Sequence, residues 1–217
     1  MNRVTSFYSS SVGKKLLMAM TGLFLCSFLV IHLYINLFLL GGDQGRTFDV
    51  YAEFMSTYPL LRPIEIVLFL GFLLHMIIGI VLWWTNRTAR PDKYAVRRAG
   101  ETSTSSSRLT FVTGSVVLIF LVIHVNTFFV SSRFFPDGRT MYEMVATAFQ
   151  NPLYDLFYLA ALFFLGYHLK HGFQSAFQTF GIRFPRYQKL IDALALLFWL
   201  VIPLAFAAMP VYFYFSH

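Results

Sequence analysis

The chain has 217 residues, of which 57% are hydrophobic, 19% aromatic and only 12% charged. Soluble domains average about 25% charged residues, so this composition excludes an ordinary soluble globule, a disordered chain and a nucleic-acid-binding domain. The net charge of +7 sits between apolar runs, and the lone Cys26 excludes a disulfide framework or a zinc or iron–sulfur cluster held by this chain alone.

A helix needs about 20 apolar residues to cross the core of a bilayer. Stretches free of Asp, Glu, Lys and Arg run 16–42, 66–86, 109–132, 156–169 and 193–217, and the fourth resumes its apolar character after Lys170 as far as Phe180. They predict helices at about 15–40, 63–86, 109–132, 153–179 and 188–214. The fold class is therefore all-α and integral to the membrane, with five transmembrane helices in a single domain over 1–217.

In chain order, the first helix has an apolar run too long for a cleavable signal, and no small-residue cleavage site follows it. It carries Thr21-Gly22 and, after five further residues, Phe28-Leu29-Val30-Ile31-His32. The loop 41–65 holds Asp43, Asp49, Glu53 and Glu65, with Glu53 inside the amphipathic stretch Tyr51 to Met55. The second helix follows Pro59-Leu60 and places His75 sixteen residues after the proline, with Gly79 four further on. The loop 87–108 is basic, and its Thr102–Ser107 stretch reads as a flexible linker.

The third helix carries Thr113-Gly114, five further residues, then Phe120-Leu121-Val122-Ile123-His124. The fourth follows Pro152-Leu153 with His168 sixteen residues after the proline, Gly172 four further on, and Lys170 and His171 between them. The fifth has no acid after Asp192 and no histidine before the terminal His217. Pro203 and Pro210 are expected to bend or end it. It should pack beside the bundle and face lipid, with Tyr212 and Tyr214 at the interface.

Charge placement orients the helices. The N-terminal segment, the loop 87–108 and the segment 170–189 carry 13 of the 17 Lys and Arg residues, while the other side carries seven of the ten acids. Positive residues stay cytoplasmic, so the N-terminus is expected inside. The basic loops serve orientation, and they also suit a docking surface for a cytoplasmic partner.

The Thr-Gly to His pattern recurs at an offset of 92 and the Pro-Leu to His pattern at 93. This reads as a two-helix unit duplicated in parallel, with the fifth helix outside the repeat. Four histidines, one per helix and in two repeat-equivalent pairs, lie at membrane depth, where ionisable groups are costly and face the bundle interior in functional roles.

In an up-down bundle, parallel helices sit on diagonals, roughly 11–14 Å apart for neighbouring axes at 8–10 Å. That gap is wide for two imidazoles sharing a small ion and suits two imidazoles flanking a porphyrin iron. The first four helices thus read as a haem-binding bundle holding two b haems, with His32–His124 nearer the outer face and His75–His168 nearer the cytoplasm. Without a Cys-x-x-Cys-His motif the haems are non-covalent. Two imidazole ligands leave no open iron position, which implies electron transfer. Gly22, Gly71, Gly79, Gly114 and Gly172 either make room for the macrocycles or serve close helix packing. Lys170 and His171 are candidate propionate contacts, although a lysine there also snorkels.

The segments Ser11-Val12-Gly13-Lys14-Lys15, Thr21-Gly22-Leu23-Phe24 through His32, Gly71 through His75, and Tyr167-His168-Leu169-Lys170-His171-Gly172 through Phe180-Gly181 span nearly the whole chain. With them it resembles the di-haem, five-helix cytochrome b membrane anchor of succinate dehydrogenases and fumarate reductases, the succinate:quinone oxidoreductases. The resemblance implies haem ligands at His32, His75, His124 and His168, a non-catalytic anchor in the bacterial inner membrane, and two cytoplasmic partners. One is a flavoprotein with covalent FAD and the other an iron–sulfur subunit; electrons pass between them and a membrane quinone, menaquinone by analogy with the fumarate reductases.

Quinol oxidation releases protons and needs an acceptor. Glu53 and Glu65 are candidates on the outer side; Ser11 and Lys14, beside Ser10, mark a candidate quinone site on the cytoplasmic side. Two other readings compete: a di-haem cytochrome b serving a hydrogenase or formate dehydrogenase, and a transporter using histidine relays. The latter would want more acids within its helices.

Overall fold

The computed structural model describes residues 10–89 and 105–216. Among these, five helices are long and apolar enough to cross a membrane: span 1 (Ser11–Leu40), span 2 (Leu61–Thr88), span 3 (Ser107–Phe134), span 4 (Pro152–Thr179) and span 5 (Pro185–Ser216). Most of the basic loop 87–108 and His217 lie outside the described residues. The tail of the stretch read as a linker, Ser105 onward, already belongs to the helix that becomes span 3.

Local chemistry sets the helix starts. The Ser10 hydroxyl accepts from the Gly13 amide at 3.0 Å to cap span 1. Asn151 accepts from the Leu153 and Tyr154 amides, and Pro152 begins span 4 where a missing N–H costs nothing. Span 5 starts the same way at Pro185, after an extended Phe184.

Span 4 is the most buried of the five and packs on spans 1, 3 and 5, while span 1 also packs on span 2. Spans 2 and 3 touch more sparsely, through the ring pairs Phe69–Phe129 at 5.3 Å and Trp83–Phe111 at 4.0 Å. This arrangement puts spans 1 and 3 on one diagonal and spans 2 and 4 on the other. Exposed Leu70, Leu74, Ile77, Val122 and Leu204 clothe the outside in apolar surface that belongs in lipid.

Span 5 departs from expectation. Neither proline ends it: the helix runs to Ser216 with Pro210 inside. A π-helical stretch, Leu197–Val201, comes just before Pro203. Proline lacks an N–H and its ring crowds the carbonyl four residues back, here Trp199, and a π turn accommodates both. That carbonyl is turned toward Gly166 of span 4, where a Cβ would stand 2.6 Å from it. Nor does span 5 only face lipid. Ile202, Pro203, Phe206, Met209, Pro210 and Phe213 are buried, and Phe213 is wholly enclosed.

The end of the bundle bearing loops 41–60 and 135–151, called here the acidic side, carries two short helices, Arg46–Thr57 and Met141–Phe149. Asp43 starts the first by accepting from the Gly45 amide at 3.1 Å, the Thr47 amide at 2.8 Å and the Thr47 hydroxyl. Those bonds, the Thr47 hydroxyl's foremost, hold its carboxyl below the usual carboxylate range. Gly45 is left-handed at φ +78 and a Cβ there would overlap the Tyr142 ring, so only glycine fits. Asp49 accepts from the Tyr142 amide at 2.8 Å, tying the short helices together, and Tyr51 stacks on Phe38 at 4.8 Å, tying them to span 1. Phe48, Val145 and Phe149 thereby join the core beneath.

Candidate functional site

The four membrane-depth histidines meet as two pairs in the bundle interior. The rings of His32 and His124 have centroids 5.8 Å apart with planes at 90°. Those of His75 and His168 are 6.2 Å apart with planes at 78°. Each pair joins the two helices of one diagonal. The depths differ by about 15 Å, because the residue of span 1 against His75 is Gly22, ten positions before His32 at 1.5 Å each.

These separations fit an iron between two imidazoles. A metal–imidazole bond of about 2.0 Å plus about 1.2 Å from nitrogen to ring centre, taken twice, gives about 6.4 Å. Among the described residues no three or more His, Cys, Asp or Glu side chains converge as a metal site. Two donors alone suit a group that brings its own remaining ligands, as a porphyrin brings four nitrogens.

The surroundings of each ring follow from helical spacing. Phe28, four residues before His32, stacks on it at 5.2 Å, and Phe120, four before His124, stacks at 5.5 Å. Phe206 of span 5 reaches His32 at 5.6 Å, and Phe128 lies 5.3 Å from His124. The Nδ1 of His124 meets the Tyr158 hydroxyl at 2.6 Å, and that of His32 lies 3.4 Å from the Asn36 amide. Directly after His124 the backbone turns π-helical over Val125–Val130, a distortion that recurs at functional sites. On the deeper pair, Thr21 lies 3.2 Å from the His75 Nδ1. Gly22 and Gly114 let the His75 and His168 rings close in: a Cβ would stand 3.3 and 3.2 Å from their Cε1 atoms.

The remaining sequence candidates lie apart from the rings. Gly71 receives the Phe24 ring, where a Cβ would come within 2.7 Å, so it serves helix packing; nothing lies within 4 Å of a Cβ at Gly172. Lys170 sets its Nζ 4.5 Å over the Trp199 ring, toward span 5, and His171 is half-buried. Glu53 is exposed on its short helix, and Glu65 pairs with Arg62 at 2.7 Å. Ser11 is exposed and Lys14 half-buried at the opposite end.

Sequence reasoning missed Tyr158, Asn36 and Phe206. A signal for Tyr158 existed: it stands ten residues before His168, the interval that separates Gly22 from His32. Asp155 is buried at the start of span 4, with one carboxylate oxygen that makes no hydrogen bond among the described residues.

No family model matches the chain, and no solved structure matches it. The chain is similar to the succinate dehydrogenase cytochrome b558 subunit of Bacillus subtilis (strain 168), with 26% identity over 180 residues, 81% of this chain and 83% of that protein. That relative is of the kind the sequence itself resembles.

Proposed function

We propose that this chain is the membrane-anchor cytochrome b subunit of a succinate:quinone oxidoreductase in a bacterial inner membrane. It holds two b haems, one between His32 and His124 and one between His75 and His168. The observation that carries the reading is the pair of facing imidazoles at each of two depths, spaced for an iron. The similarity to a succinate dehydrogenase cytochrome b subunit supports the enzyme class.

When bound, the haems supply one-electron carriers. The chain's residues hold and insulate them. His32 with His124 and His75 with His168 would hold the two irons, and two imidazoles on each would leave no open position for oxygen or substrate. Phe28, Phe120, Phe128 and Phe206 exclude water around the acidic-side pair. The basic side carries Lys14 and Lys15 of span 1 and Arg183, Arg186 and Lys189 at the turn into span 5. It faces the cytoplasm and docks an iron–sulfur subunit, which in turn carries a flavoprotein. A quinol, in the fumarate-reducing direction menaquinol, gives up two electrons and two protons. Glu53 and Glu65 are the proton acceptors proposed on the acidic side, while Ser11 and Lys14 mark the alternative site on the basic side.

A reduced-minus-oxidised spectrum with haem quantification on the purified protein tests the reading. Two b haems per chain are expected. A chain without haem overturns it and leaves a histidine-relay transporter as the reading to pursue.

A further inference from the structure

The two Thr-Gly dipeptides of the repeat have a task that the pairing of histidines does not by itself explain. Thr21 donates its single hydroxyl proton to the Leu17 and Met18 carbonyls, at 2.9 and 3.1 Å. Toward the His75 Nδ1, 3.2 Å away, the hydroxyl is therefore an acceptor. This places the imidazole proton on Nδ1 and leaves the Nε2 lone pair for the partner side of the ring. Next to it, Gly22 lacks the Cβ that would stand 3.7 Å from the same Nδ1.

The other half of the chain has the same parts. Thr113 is buried with 2% exposure and donates its hydroxyl proton to the Thr110 carbonyl at 3.1 Å, again leaving an acceptor. Beside it, a Cβ on Gly114 would stand 3.5 Å from the His168 Nδ1. That nitrogen is buried and makes no hydrogen bond of normal geometry among the described residues, although the Thr110 backbone carbonyl interacts with it. The same carbonyl takes the Thr113 hydroxyl proton, which brings that hydroxyl, beside the glycine the ring rests on, to the polar edge of the imidazole.

We propose that Thr21 and Thr113 are paired positioning residues: their hydroxyls accept the Nδ1–H of His75 and His168 and aim the two Nε2 atoms at the iron between them. The inference rests on the di-haem reading above. It adds that the basic-side haem is tuned by two threonines from the opposite diagonal, one per half of the chain. A hydrogen bond accepted from Nδ1–H makes the imidazole a stronger donor to the metal. It favours the ferric state, so its loss raises the reduction potential.

The test uses full-length, haem-loaded protein and redox titration at the haem absorption bands, with haem per chain measured alongside. The basic-side haem is identified as the one that His75→Ala removes. Thr21→Val and Thr113→Val keep shape and delete the acceptor. Each is expected to raise the potential of that same haem, by up to about tenfold in its reduction equilibrium, or ~59 mV for one electron. The other haem stays unmoved. Thr21→Ser and Thr113→Ser restore the wild-type value. A Val variant that sheds the haem while its Ser counterpart keeps it at the wild-type potential also supports the hydroxyl's role.

Two haems at unchanged potentials in both Val variants overturn the proposal, as do Ser variants that shift or lose haem like the Val variants. A wild-type chain without haem instead removes the parent reading, and this proposal with it.

Discussion

The two histidine pairs share one donor set and differ in nearly everything around it. On the acidic side, His32 and His124 sit among Phe28, Phe120, Phe128 and Phe206, with Tyr158 on one Nδ1. The larger of the two apolar cores surrounds them, and two short helices close over that end. On the basic side, His75 and His168 face each other and rest on glycines, with a threonine as polar neighbour. The nearby core there is small, built on Cys26, Leu169, Phe173 and Ala195. Repeated sequence can thus place equivalent histidines in unequal surroundings, and haems held there would differ in potential through unequal burial and hydrogen bonding.

The largest effects are expected at the proposed haem ligands. Replacing His124 by Ala should remove the acidic-side haem and leave the other, halving the haem content; His168→Ala should do the reverse. Loss of both haems from either single variant would show that the two sites do not stand independently. Next is Gly166→Val. The added Cβ meets the Trp199 carbonyl at 2.6 Å, backbone that cannot yield cheaply. Overpacking of this kind costs about 1–3 kcal/mol or more. Because Gly166 lies two residues before His168 and Trp199 packs on the basic-side core, the variant should lower the thermal midpoint and release the basic-side haem first. Release of the acidic-side haem first would contradict the division between the two ends.

Tyr158→Phe is a smaller change. It deletes the hydroxyl at the His124 Nδ1, a net loss of about 1 kcal/mol. Both haems should be retained, with only the acidic-side potential moved. A shift confined to the basic-side haem would reverse the assignment. The smallest structural effect is expected of Glu53→Gln. On an exposed helix face it should alter stability by no more than ~0.5 kcal/mol, while slowing quinone-linked turnover. Unchanged turnover would move the quinone site toward Ser11 and Lys14.

The histidine pairs were legible because a helix converts spacing into facing, and two offsets of nearly equal length matched the histidines by repeat. The five long helices were legible from apolar length alone. What escaped depends on contacts between distant segments. Tyr158 finds His124 across 34 positions and Asp49 finds the Tyr142 amide across 93. The spacing of Tyr158 to His168 marks the residue but not its partner, and no local pattern signals the Asp49 contact. Span 5 looked like a lipid-facing helix because its residues are apolar all round, and such a helix does not announce which face is buried. Of the two outcomes expected of the prolines, an end to the helix does not occur: at Pro203 a π turn and a glycine on the neighbouring helix accommodate what would otherwise break the chain.

Electron paramagnetic resonance of the oxidised, purified protein reads the iron ligation directly. If each proposed iron is held by one histidine pair, ring planes at 90° and 78° predict two strongly anisotropic low-spin ferric signals and no high-spin iron. A high-spin signal in the intact protein, or one low-spin centre for each chain, would contradict the account.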